Sequence, residues 1–144
     1  MKIVYLISLM IFFLASCGDS PFLEDEEGQE VQGTNLLSQQ LSLNSGIQIS
    51  PYWASGPTIA SESKISFLIL DKDSRPINEQ LDIRVKLWMP TMGHGSFPVT
   101  IKYHGLGLYQ ATDVFFTMPG YWDIHFQLFE NGVFVEELKW PLEL

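Results

Sequence analysis

Cysteine is nearly absent: the chain has one, Cys17, in 144 residues. That excludes an intramolecular disulfide framework and a cysteine-rich zinc site. Basic residues are scarce as well, 8 Lys and Arg against 17 Asp and Glu, for a formal charge of −9. Without a basic excess to neutralise phosphates, nucleic acid is not an expected partner. Charge of either sign is low at 17%, while 46% of residues are hydrophobic and 13% aromatic. Such a chain is too apolar for disorder along its whole length, and its length fits one ordinary domain. Phosphate loops, dinucleotide fingerprints and His-Glu-x-x-His helices are missing. Ser96 follows Gly93-His94-Gly95 without a Gly-x-Ser-x-Gly elbow or an evident His/acid pair, so no enzyme is expected.

A long hydrophobic run is missing too. The apolar stretch Ile3–Leu14, broken only by Ser8, covers 12 residues, whereas a membrane-spanning helix needs about 20. Behind Met1-Lys2 it has the size of a signal-peptide apolar region. Leu14-Ala15-Ser16-Cys17, followed by Gly18-Asp19-Ser20, resembles the lipobox of bacterial lipoproteins. The resemblance implies that residues 1–16 are a signal peptide and that Cys17 is lipidated as the new N-terminus. It also implies attachment through membrane lipid on the extracytoplasmic side of the bacterial cell envelope, facing the periplasm or the cell surface. One acyl chain anchors marginally and two anchor stably, and lipoproteins carry at least two. An ordinary signal peptide with an incidental cysteine is the alternative. Loss of Lys2 with the signal takes the formal charge from −9 to −10.

Residues 18–45 hold Asp19, Glu24, Asp25, Glu26, Glu27 and Glu30 and no Lys or Arg; Gln, Ser, Asn and Gly make up most of the rest. One-sign charge and few aromatics predict a solvated spacer, so 17–45 is expected to be a lipid-anchored acidic tether and 46–144 the domain. Leu36, Leu37, Leu41 and Leu43 either form a weak helical turn or pack on that domain.

From residue 46 the hydrophobic period is two. Leu81, Ile83, Val85 and Leu87 alternate with Asp82, Arg84 and Lys86, and Trp122, Ile124, Phe126 and Leu128 alternate with Asp123, His125 and Gln127. Asn131-Gly132 between two apolar runs signals a tight hairpin. Seven strands are predicted, over 46–53, 64–70, 81–88, 97–103, 107–116, 120–129 and 132–140. They suit an all-β, immunoglobulin-like antiparallel sandwich without a disulfide, with a small barrel as the alternative. Gly120-Tyr121-Trp122-Asp123-Ile124 fits entry into the sixth strand, with Ile124 standing where antibody domains place a cysteine.

Five methionines are present, and Met1 and Met10 belong to the signal. The other three lie in Trp88-Met89-Pro90-Thr91-Met92-Gly93-His94-Gly95 and Thr117-Met118-Pro119-Gly120. In a seven-strand sandwich the loops after the third and fifth strands share one end, so Met89, Met92, His94 and Met118 are candidate ligands of one metal. Thioethers with imidazole favour Cu(I) over zinc, magnesium or calcium, and thioether ligation needs no deprotonation. Trp88 is a candidate cation–π cap. Methionines that merely pad the core, beside ordinary turns, are the alternative. His104 is expected in a turn at the opposite end, and His125 on the face away from Trp122, Ile124 and Phe126.

Three segments carry a family resemblance: Met89-Pro90-Thr91-Met92-Gly93-His94, Gly107-Leu108-Tyr109, and Met118-Pro119-Gly120-Tyr121-Trp122. Their order resembles the YtkA-like and FixH-like domains, over about 65–140. The resemblance implies a small β-sandwich outside the cytoplasm, with Met89, Met92, His94 and Met118 in the motif positions. FixH-like members are associated with copper delivery to respiratory oxidases; this chain departs from them in replacing a transmembrane helix by a lipidated cysteine. Two functions are carried forward. One is a membrane-anchored lipoprotein that binds copper and delivers it to a copper-accepting protein. The other is a metal-free adhesion, scaffold or protein-interaction module.

Overall fold

The computed structural model describes residues 39–144, and every described strand pairing within its sheets is antiparallel. The expected signal 1–16, the Cys17 anchor and tether residues 17–38 lie outside the described residues. Nine strands form: β1 (Leu41–Ser42), β2 (Gln48–Ser55), β3 (Glu62–Leu70), β4 (Asp82–Met89), β5 (His94–Gly95), β6 (Thr100–Gly105), β7 (Leu108–Phe115), β8 (Tyr121–Glu130) and β9 (Val133–Glu143). One sheet runs β1-β2-β3-β7-β6 and the other β5-β4-β8-β9. With the two-residue strands β1 and β5 set aside, four strands face three in the order of an immunoglobulin constant-type sandwich. All seven expected strands form, each within a few residues of its expected bounds.

Alternation decides which side chains enter the space between the sheets. On β4 the buried set is Ile83, Val85, Leu87 and Met89; on β8 it is Trp122, Ile124, Phe126 and Leu128. Aromatic rings bridge the layers: Phe67 of β3 lies edge-on to Phe126 of β8 at 5.0 Å and stacks on Tyr109 of β7 at 5.3 Å. Rings at these separations add roughly 0.5–1.5 kcal/mol per pair beyond their area burial. The β8–β9 turn is the hairpin Asn131-Gly132, with φ of 52° and 78°, as a two-residue turn with left-handed central residues requires.

The domain begins earlier than expected. Leu43 is 6% exposed and belongs to the core, Leu41 packs against it, and β1 pairs with β2. Trp140 Nε1 donates to Gln39 Oε1 at 2.8 Å, and the Asn44 N–H donates to Glu136 at 2.8 Å. Residues 39–45 are therefore part of the sandwich, not of the tether. Of the two expectations for these leucines, packing on the domain holds for Leu41 and Leu43, although two apolar side chains are too few to show a period.

Candidate functional site

The end of the sandwich that holds Met89 is assembled from three segments. Met89 is the last residue of β4, and Pro90 follows it, unable to donate to a sheet ladder. The N–H groups of Met92 and Gly93 both donate to the Met89 carbonyl, at 3.2 and 3.0 Å. This tight turn returns the chain as β5, which sets Met89 opposite His94 and Trp88 opposite Gly95. Directly opposed residues project from the same face of a sheet. Met89 and His94 thus share the core-facing side, and Trp88 stands on the outer one.

The second segment is the loop between β7 and β8, which carries Met118. The β4–β8 register pairs Trp88 with Asp123, so the start of β8 lies beside the end of β4. Trp122 is fully buried there, and its Nε1 donates to the Met118 carbonyl at 3.1 Å, fixing the loop to the strand it enters. A Cβ at Gly120 would lie 2.8 Å from the Met89 methyl, so these two segments are in close contact. The third segment is the C-terminus: Gly120 and Leu144 exchange backbone hydrogen bonds at 2.8 and 3.1 Å. In the sequence Gly120 marks the entry to the sixth strand and Leu144 has no role; only the sheet order brings them together.

The four candidate ligands are placed unequally. Met89 is 3% exposed, Met118 is half-buried against the core, and Met92 at the hairpin turn is 60% exposed. The His94 ring stands edge-on to Trp122 at 6.4 Å. Its Nδ1 lies 3.1 Å from the Gly95 carbonyl, which can only accept. A neutral His94 therefore carries its proton on Nδ1 and keeps the Nε2 lone pair for a ligand role. No three His, Cys, Asp or Glu side chains converge among the described residues. The four candidate ligands are one imidazole and three thioethers.

Trp88 has a different neighbour from the one expected. Lys86 Nζ sits 4.3 Å from its ring centroid on the outer face of the sheet, away from Met89 and His94. The Lys86 ammonium is thus a cation–π partner of the Trp88 ring. His104 is exposed on β6 at the opposite end, as expected, although it lies within the strand. That end also holds a cleft of about 430 Å³, lined by Leu81, Ile83, Ile101, Tyr103 and Tyr109 among others. Tyr109 is buried and its hydroxyl accepts the Leu81 N–H at 2.7 Å. Burial pushes the phenol pKa up, and the Leu81 N–H opposes that shift. The Gly107-Leu108-Tyr109 motif is thereby structural.

His125 points away from the core as expected but is only 7% exposed. Lys86 and Lys139 flank it across the sheet, and its Nδ1 lies 3.1 Å from Glu137 Oε2. Hydrogen bonds from Gln127 and His125 hold the Glu137 carboxyl below the usual carboxylate range.

Among curated proteins, none matches the chain. The family model described as YtkA-like matches residues 54–127, just over half of the sequence and a span that contains Met89, Met92, His94 and Met118. With its two-sheet sandwich and this match, the chain belongs to the YtkA-like family.

Proposed function

We propose that this protein is a lipid-anchored, extracytoplasmic lipoprotein whose β-sandwich binds Cu(I) as cargo and passes it to a copper-accepting protein. The observation that carries the reading is the pairing of Met89 with His94 on one sheet face, with the Met118 loop held beside them by Trp122. The donor chemistry fits: thioether sulfur and a neutral imidazole Nε2 suit a soft monovalent ion and serve hard divalent ions poorly. Met89 ends β4 and Met118 lies in the β7–β8 loop, whereas Met92 is exposed at the turn, where a partner's ligand could replace it. The signal-like segment 1–16 and Cys17 support placement at a membrane surface, with two or more acyl chains giving stable anchorage.

Anaerobic Cu(I) titration of the full chain against a chromogenic chelator tests the binding. The double variant Met92→Ala/His94→Ala should lose at least about tenfold in affinity, the scale of disturbing a metal's ligand environment; unchanged affinity overturns the reading. Cys17→Ser should release the protein from the membrane fraction.

A specific observation favours the metal-free interaction module as a second reading. Val133, Phe134 and Val135 are all exposed at the start of the edge strand β9. Such a run offers apolar surface and an unpaired strand edge to another chain. Under this reading the chain takes up no Cu(I), and substitutions at Val133–Val135 abolish its interactions.

A further inference from the structure

The three methionines of the site differ sharply in access. Met89 is 3% exposed, with its methyl against Gly120, and Met118 is half-buried. Met92 is 60% exposed, and in its turn the Met92 and Gly93 N–H groups donate to the Met89 carbonyl. From this contrast we infer that Met92 is an oxidative modification site, whose conversion to the sulfoxide switches off soft-metal binding while leaving the fold intact. The inference rests on the copper reading above and adds a regulation to it.

The chemistry needs only a peroxide as the oxidant. A lone pair of the Met92 sulfur attacks one peroxide oxygen; the O–O bond breaks and an S–O bond forms. Sulfur loses two electrons; with hydrogen peroxide, the oxygen now on sulfur gives up its proton and the departing hydroxide takes one up to leave as water. The product is a polar sulfoxide in place of a polarizable thioether, and its oxygen is a hard donor that suits a soft ion poorly. Because Met92 projects into solvent, the added oxygen needs no rearrangement of the core. At Met89 the same oxygen would have to enter a packed interior, where even one extra atom is felt. A metal held by the Met92 sulfur takes one of its two lone pairs and draws electron density from the other, so loading slows oxidation.

The test uses the purified full chain and hydrogen peroxide, with Ag(I) as a redox-inert stand-in for Cu(I). Peptide mass mapping follows the gain of one oxygen at Met89, Met92 and Met118. Ag(I) uptake is measured by dialysis and metal analysis before and after treatment. Met92 should oxidise at least about tenfold faster than Met89, in line with exposure-controlled reactivity. Ag(I) should slow the Met92 reaction, and the Met92 sulfoxide form should bind Ag(I) at least about tenfold more weakly. Equal oxidation rates at Met92 and Met89, or undiminished Ag(I) uptake once Met92 is oxidised, overturn the inference and leave the copper reading standing. No Ag(I) uptake by the untreated chain overturns both.

Discussion

The methyl group of Met89 occupies the space that a side chain at Gly120 would need: a Cβ there would come within 2.8 Å of it. Gly120 also has a φ of 130°, a conformation that side chains with a Cβ rarely adopt. Gly120→Ala should therefore destabilise the domain by about 1–3 kcal/mol, chiefly through backbone strain, with a smaller packing part because the Met89 methyl ends a flexible side chain. Met89→Ala in the same chain should return the packing part of that cost but not the strain. A double-mutant cycle from denaturant melts measures the coupling, and additive losses would show that the two residues do not compete for space.

Burial separates the methionines energetically. Met89→Ala should cost about 2–5 kcal/mol, as for other large-to-small core changes. Met92→Ala should stay within about 0.5 kcal/mol of the parent, because its side chain is largely in water. Met118, which is half-buried, should fall between them. Equilibrium urea unfolding gives all three values. Met92→Ala is thus the variant in which a change of metal affinity is not confused with a change of stability.

Trp122 joins the Met118 loop to β8 through one hydrogen bond, Nε1–H to the Met118 carbonyl at 3.1 Å. Trp122→Phe removes the donor and leaves a buried void, for an expected loss of about 2–4 kcal/mol from both effects. Amide hydrogen exchange should accelerate around 117–120 more than in β3 or β7. Uniform acceleration would mean that Trp122 acts only through global stability.

Tyr109 supplies a parallel case at the other end. Tyr109→Phe leaves the Leu81 N–H without its acceptor, which should cost about 1–3 kcal/mol with little change in shape. Metal affinity should be unchanged, since this residue lies at the end opposite Met89.

The Glu137 carboxylate accepts hydrogen bonds from Gln127 and His125, which lower its pKa in the folded state. A carboxyl group whose pKa is depressed by folding adds stability above its unfolded pKa and loses it as pH falls through the folded one. Glu137→Gln should therefore cost about 1 kcal/mol at pH 7, a modest value because the side chain is 32% exposed and screened. The difference from the parent should shrink below the usual carboxylate pKa of about 4.3. Melts from pH 3 to pH 8 check this, and a constant difference would rule out the charge.

Alternation in Ile83–Leu87 and Trp122–Leu128, together with Asn131-Gly132, was enough to read most strands and the inward faces. A period of two marks any strand with one buried side, whatever its partners are. The methionine and histidine positions were legible for a similar local reason, since loop order in a sandwich places both loops at one end. Beyond local reach lay β1, β5 and the choice between a helical turn and docking for Leu41 and Leu43. Two residues show no period, and their strands exist only because β2 and β4 offer free edges. Pairwise relations were also decided by tertiary structure: Met89 against Gly120, Gly120 with Leu144, Lys86 over Trp88, and His125 buried between two lysines. The single cysteine, the apolar run before it and the acidic stretch after it rest on sequence alone, because their chemistry is local. Sequence by itself thus determined the family, seven of the nine strands and the residue types near the Met89 end; the sheet register decided which methionine is buried and which meets solvent.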